Sequence, residues 1–214
     1  MLVDAISSKW VNNMTETKAV FPSLRTARLL LRPFEDADAA ALHRMYQPDD
    51  VRRYLPMPTA PSLEQIQRFV TRQRAHWEKH GYGHWSLVPE GEGEIIGWAG
   101  LQYLPELDET EVAYALDRPF WGKGYATEAA LASLDFGFQH FPLDHIIALV
   151  HPQNTASRRV IEKCGMAYVE TLSLRGMELM RHTRPGGPKA ARTTLQASLR
   201  RQDGKNAKKS ACLP

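Results

Sequence analysis

The sequence predicts one α/β domain built on a mixed sheet, and three observations carry that prediction. Short apolar runs bounded by turn residues alternate with stretches of helical period, in the order β-α-α-β-β-β-α-β-α-β-β. At residues 111–128 a strand passes through a two-glycine loop directly into a helix. The 214 residues, 43% hydrophobic and 24% charged, suffice for one substantial core and little more. That composition excludes disorder as the overall state, and no apolar run approaches the ~20 residues of a bilayer-spanning helix.

Each element has its own signal. Arg28-Leu-Leu-Leu-Arg-Pro-Phe34 is a short apolar run and predicts a strand; Glu35-Asp-Ala-Asp38 places acids at the positive end of a helix reaching about Tyr46. Ser62-Leu-Glu-Gln65 has the form of a capping box, and Leu63, Ile66, Val70 and Trp77 fall on roughly one face of the helix it opens. Strands at about His84–Val88, Ile95–Leu104 and Glu111–Leu116 are separated by Pro89-Glu-Gly-Glu-Gly93 and Pro105-Glu-Leu-Asp108, which predicts an antiparallel meander. Ala126, Ala130, Leu134, Phe138 and Phe141 recur at helical spacing and predict a helix from about Gly124 to Phe141, ended by Pro142. His145–Val150 reads as a buried strand, Thr155–Cys164 as a helix stopped by Gly165, and Ala167–Leu174 and Met177–His182 as a closing pair.

Outside the domain, assigned to residues 24–184, the signals weaken. Residues 1–23 show no sustained period and are expected to form a loosely ordered leader. Residues 185–214 open on a Pro/Gly cluster and are expected to be a basic, disordered tail. From Lys189 onward there are seven basic residues and one acid, Asp203, so the formal net charge of +3 is a tail of +6 on a remainder of −3. Such a tail suits weak contact with RNA or the ribosome, although a solubilising end is the simpler reading. Cys164 and Cys212 imply no disulfide framework, and Cys164 is expected in the core. The start lacks a signal-type apolar stretch, which points to the cytoplasm. His76-Trp-Glu-Lys-His80 has a metal-like spacing, but its glutamate is out of place for a zinc helix and no metal is expected. Gly91-Glu-Gly-Glu-Ile-Ile-Gly97 is glycine-rich but carries two acids between strands and is expected to be only a hairpin turn.

The chemistry concentrates in Glu111-Val-Ala-Tyr-Ala-Leu-Asp-Arg-Pro-Phe-Trp-Gly-Lys-Gly-Tyr-Ala-Thr-Glu128. Gly122 and Gly124 permit a sharp turn and close approach of a ligand. The unpaired N–H groups of the following first helical turn face the same spot, an arrangement suited to phosphate. The loop lacks the Gly-Lys-Ser/Thr of a magnesium-nucleotide site and the third glycine of a dinucleotide fold.

Glu111-Val-Ala-Tyr114, Phe120-Trp-Gly-Lys-Gly-Tyr-Ala-Thr-Glu-Ala129 and Asn154-Thr-Ala-Ser-Arg-Arg-Val-Ile-Glu-Lys-Cys-Gly-Met166 resemble three consecutive signatures of the GCN5-related N-acetyltransferase (GNAT) superfamily, and more narrowly of its RimJ/RimL-like, ribosomal-protein-alanine branch. The resemblance covers about residues 24–184. It implies a mostly antiparallel sheet flanked by helices, with splayed central strands admitting acetyl-CoA as co-substrate and no metal. Its pyrophosphate would lie on the backbone of Gly122, Lys123, Gly124, Tyr125, Ala126 and Thr127, beside Trp121, with pantetheine between the strands containing Leu116 and His145–Val150. Asn154 would hydrogen-bond the cofactor and Ser157 would sit near its sulfur. The acetyl group would pass directly to a primary amine: a peptide N-terminal α-amine or a small molecule. The alternatives are an aminoglycoside-type acetyltransferase, which would want an acidic acceptor cleft, and a non-catalytic acyl-CoA-binding or RNA-associated module. Family members occur as monomers and homodimers.

That chemistry sets requirements. An amine must lose its proton before attack, and Glu111 is the first candidate base, with Glu178 second. A main-chain N–H near Ala115–Leu116 would serve the oxyanion. The family's usual thiolate-protonating tyrosine is replaced by Ile161, so Ser157 or Tyr114 is expected to supply the hydroxyl. Arg52, Arg53, Tyr54 and Trp77 lie in the region that shapes the acceptor pocket in the family; solvated arginines and a core tryptophan are the bland reading.

Overall fold

The computed structural model describes residues 21–187, so the expected leader and basic tail lie almost wholly outside the described residues. The strands are β1 (Leu24–Arg25), β2 (Leu29–Pro33), β3 (His84–Pro89), β4 (Gly97–Leu104), β5 (Glu109–Leu116), β6 (His145–Val150), β7 (Ala167–Leu174) and β8 (Met177–Pro185). They form one sheet in the order β1-β2-β3-β4-β5-β6-β8-β7, antiparallel throughout except between β5 and β6. The helices are α1 (Asp38–Met45), α2 (Asp49–Arg52), α3 (Leu63–His80), α4 (Tyr125–His140) and α5 (Thr155–Lys163), with a 3₁₀ turn at Arg118–Phe120. Among the described residues no helix is long and apolar enough to cross a membrane.

The pleat divides the core in two. Leu31, Trp85, Leu87, Ala99, Leu101 and Val112 pack against Ala130, Leu134 and Phe136 of α4. Phe34, Leu42, Tyr46, Ile66, Val70 and Trp98 form a second cluster involving α1 and α3. The capping box predicted for α3 is complete: Ser62 Oγ accepts from Gln65 N at 3.2 Å, and Gln65 Oε1 accepts from Ser62 N at 2.7 Å. Gly81 closes this helix in the left-handed conformation, as its position after a basic last turn suggests.

Three local expectations change. β1 and α2 were not legible because two and four residues are too short to show a period. β4 begins at Gly97 rather than Ile95, where a φ of +146° breaks the extended path. Asp38 does more than place an acid at a helix start: it is 5% exposed and accepts hydrogen bonds from Arg32, Glu35 N and Ser86 Oγ. It thereby ties α1 to β2 and β3. Burial pushes its carboxyl up, but these donors and the Arg32 charge prevail and hold it below the usual range.

Asp38→Ala would strand a partly buried guanidinium and a buried hydroxyl. The expected loss is about 3 kcal/mol in urea denaturation near neutral pH, shrinking in acid as the wild-type carboxylate takes its proton.

Candidate active site

The site lies on the parallel seam of the sheet. β4 and β5 pair along their whole length, and all of β6 pairs with Met180–Pro185 of β8, but β5 and β6 are in register only at Glu111 opposite Ile147. Beyond that point the strands part. Asp117 N donates to Ile96 O, so the alternation of an antiparallel ladder turns the main-chain groups of the odd-numbered residues of β5 towards β4. Those of Val112, Tyr114 and Leu116 consequently face the gap. In a continuous parallel ladder Leu149 N–H would reach the Val112 carbonyl. Instead, Glu111 Oε1 accepts from Leu149 N at 3.3 Å, while Oε2 accepts from Gln102 Nε2 at 2.6 Å. Glu111 is 7% exposed, and desolvation raises its carboxyl to about 7 against the opposing pull of these two donors and the Arg175 charge.

Tyr114, three residues on, projects to the other side of β5. Its hydroxyl lies 2.9 Å from Ser157 Oγ and donates to the Ser157 carbonyl at 3.2 Å. Ser157 stands in the first turn of α5, where Asn154 is the N-cap and its Oδ1 accepts from Ser157 N at 3.1 Å. Ile161 is buried in the α4-side core, so the tyrosine hydroxyl reaches Ser157 from β5 rather than from α5. Burial raises the Tyr114 phenol well above its ordinary range.

The glycine loop enters α4 with Gly122 and Gly124 at φ of +73° and +83°, and no side chain caps the helix. The first-turn N–H groups of Tyr125, Ala126 and Thr127 are therefore open to a ligand. A tie that was not read from the sequence fixes this loop. Glu128 accepts from Thr26 Oγ1 at 2.7 Å and from Arg28 N and Nε at 2.8 and 2.7 Å, while Arg28 Nη1 donates to the Lys123 carbonyl at 2.9 Å. The Arg28 guanidinium also lies 4.6 Å from the Tyr125 ring centroid. Only the fold brings residues 100 apart together; the sequence carried no local signal for this pair.

These elements enclose a cleft of ≈ 1210 Å³ lined by Glu111, Tyr114, Leu116, Trp121, Asn154 and Ser157 among others. Gly122, Gly124, Tyr125, Ala126 and Thr127 line it too. Lys123 does not: its ammonium lies over Phe120, 5.2 Å from the ring centroid. Trp121 is 45% exposed, and its indole N–H donates to the Leu116 carbonyl at 2.7 Å, leaving the Leu116 N–H facing the gap. The Ala115 N–H points to β4 instead.

Other expected residues sort themselves. Glu178 is exposed, and its neighbours Met177 and Leu179, not Glu178, line the cleft, so it is remote from the chemistry. Arg52 is buried and structural, donating to the Tyr46 and Gln47 carbonyls and pairing with Asp49, whereas Arg53 and Tyr54 line the cleft. Trp77 is core. His76 donates through Nδ1 to Tyr82 O at 2.8 Å and accepts from Tyr103 N at 3.0 Å, so both nitrogens serve the backbone.

A parted parallel seam beside a glycine-rich helix start, with a buried carboxyl at the fork, is the architecture of an acyl-CoA-dependent acyltransferase. A family model described as an acetyltransferase (GNAT) domain matches residues 28–167. The chain is 32% identical over 148 residues to YoaA of Bacillus subtilis, named an uncharacterized N-acetyltransferase, covering 68% of this chain and 83% of that protein. It is 30% identical over 159 residues to the FsC-acetyl coenzyme A-N(2)-transacetylase of Aspergillus fumigatus, covering 70% and 67%. An acetyltransferase structure from Bacillus anthracis superimposes with a TM-score of 0.69 at 26% identity, covering 78% of this chain and 100% of that one. The chain belongs to the GNAT acetyltransferase family, and is an N-acetyltransferase using acetyl-CoA.

Glu111 makes stability pH-dependent. Its folded pKa of about 7 lies above the ordinary 4.5, so between those values the folded chain holds a proton that the unfolded chain has lost. Stability falls across that window and levels off above it. Urea denaturation of Glu111→Gln should accordingly show a gain over wild type on the order of 3 kcal/mol larger at about pH 8 than at about pH 4.

Proposed function

We propose that this chain acetylates the α-amine of a peptide N-terminus or the amine of a small molecule by direct transfer, with Glu111 as the base. The observation that carries the assignment is the Glu111 carboxyl at the fork of β5 and β6, buried and raised to about 7, where it can take a proton near neutral pH. The chain's own groups fit the donor. Main-chain groups of Tyr114 and Leu116 line the gap for an amide-bearing arm, and the uncapped start of α4, held by Arg28 and Glu128, suits a pyrophosphate.

In this reading Glu111 takes the proton of the incoming ammonium, and the freed amine attacks the thioester carbonyl. The Leu116 N–H steadies the oxygen that gains charge. As the carbon–sulfur bond breaks, the Tyr114 hydroxyl gives its proton to the leaving sulfur and is reprotonated, through Ser157 Oγ at 2.9 Å, by the second proton that the attacking nitrogen sheds, while Glu111 passes the ammonium proton to solvent. Asn154 orients Ser157 by capping α5. The aminoglycoside alternative fits less well, because Arg53, Arg68 and Arg72 line the cleft and would repel a polycation. A purely binding module leaves the buried Glu111 and the Tyr114–Ser157 pair without a task.

The full chain should release CoA thiol from acetyl-CoA in the presence of a suitable amine, with kcat/KM rising through about pH 7 as Glu111 ionises. Glu111→Gln should lower kcat/KM by roughly 10²-fold and remove that limb. An unchanged rate would exclude Glu111 as the base, and acetyl-CoA binding without turnover on any peptide, polyamine or aminoglycoside would favour the binding module.

A further inference from the structure

The end of the cleft away from the glycine loop holds polar groups for which the proposed mechanism has no use. His84, at the start of β3, is 1% exposed and lies nearly flat on the Trp98 indole, centroids 4.3 Å apart at 21°. Among the described residues, neither ring nitrogen has a hydrogen-bond partner. Gln73 of α3, 8% exposed, leaves its side-chain oxygen unpaired as well. Both line the cleft. A buried polar atom without a partner costs about 1–3 kcal/mol, so such atoms gathered in a cleft wall point to a ligand that completes them. Burial keeps the imidazole neutral, offering one donor and one acceptor.

The same wall is cationic. Gln65, Arg68, Phe69, Arg72 and Gln73 of α3 all line the cleft, at the 3–1–3–1 spacing of one helix face. Arg68 pairs with Glu64 on the solvent side, 2.6 Å away, but among the described residues Arg72 has no carboxylate partner, and neither has Arg53 across the cleft. The lining acids are Glu111 and Asp50; Asp50 Oδ2 bears Arg118 at 3.0 Å, while its buried Oδ1 has no partner among the described residues.

Register connects this wall to the base. His84 lies opposite Gly100, Gly100 opposite Ala113, and Gln102 opposite Glu111, so His84 and Glu111 share one face, two strands and two residues apart. Strand spacing and rise place their Cα atoms roughly 12 Å apart. Between them Ala113 presents only a methyl group to the cleft, while the space over Gly100 is taken by the backbone of Gly83 and His84.

We infer that the acceptor is a primary amine whose own residue carries a side-chain carboxylate, its amine at Glu111, its polar groups on His84 and Gln73 and its side-chain anion towards Arg68 and Arg72. The inference rests on the acetyltransferase reading above and names the substrate class of that site.

The test uses the full chain and acceptors that differ in charge: glutamate, glutamine and lysine, each free and as the first residue of a dipeptide with alanine. CoA thiol release gives kcat/KM, and tryptophan fluorescence gives binding of the same compounds. The glutamate member of each set should be preferred about tenfold or more over glutamine, with lysine last. An Arg68→Gln/Arg72→Gln double variant should lose that preference while its KM for acetyl-CoA stays within about twofold. His84→Phe replaces ring by ring and removes two unpaired nitrogens. Its denaturation midpoint should hold or rise while the acceptor KM rises roughly fivefold, a split that a merely structural histidine would not produce. Turnover led by glutamine or lysine, or an arginine double variant that keeps the glutamate preference, overturns the inference and leaves the acetyltransferase reading standing. No turnover and no binding of any member also overturns the inference, and CoA thiol release with a broader panel of peptides and small-molecule amines then tests the acetyltransferase reading separately.

Discussion

Where β5 and β6 part, the Leu149 N–H has no carbonyl opposite it, and the Glu111 carboxylate takes that place at 3.3 Å. This substitution connects the fold to the chemistry. An exposed N–H inside a sheet would cost the desolvation of an unpaired donor, so the gap can persist only if another acceptor serves it. Once Glu111 does so it is buried, and burial raises its carboxyl to about 7. The constraint that keeps the seam open is thus the one that makes the residue at its fork a base near neutral pH.

The rest of the site is arranged around that fork. On one side, α4 begins without a cap on a loop fixed by Arg28 and Glu128, and α5 begins with Asn154 orienting Ser157 beneath Tyr114. These are the groups suited to the acetyl donor. On the other side, α3 and β3 present arginines and unpaired buried polar atoms, the groups suited to an acceptor. Tyr54, stacked on His151 at 5.1 Å, ties the segment after α2 to the end of β6 at the cleft. Asp38 holds α1 against β2 and β3 on the α3 side of the sheet, so a salt-bridge network far from the chemistry supports the acceptor wall.

Much of this was legible in the sequence because it is local. The α3 capping box, the glycine at its end, the meander of β3 to β5 and the passage from β5 through two glycines into α4 all depend on residues a few positions apart, where period and turn chemistry act. The segments His145–Val150 and Ala167–Leu174 lie where the apolar pattern placed them. Glu111, Tyr114 and Ser157 were legible as candidates through the family signatures, and the fold places them on the two sides of one seam. What could not be read depends on long-range pairing. Glu128 looks like an ordinary first-turn acid until β2 brings Arg28 to it. Asp38 reads only as a first-turn acid until Ser86 and Arg32 close over it. Glu178 reads as a second candidate base until strand alternation turns it away from the cleft. His84 carries no motif at all; its significance comes from burial without partners beside Trp98.

The central claim is that the parted seam, through desolvation, sets the Glu111 carboxyl near neutrality. The most direct measurement is a carbon-13 NMR titration of the glutamate side-chain carboxyls in the full chain, with Glu111→Gln identifying the resonance. The account predicts that this carboxyl titrates at about 7. Titration at the ordinary 4.5 would mean that the carboxylate is well solvated at the fork, and would contradict the account.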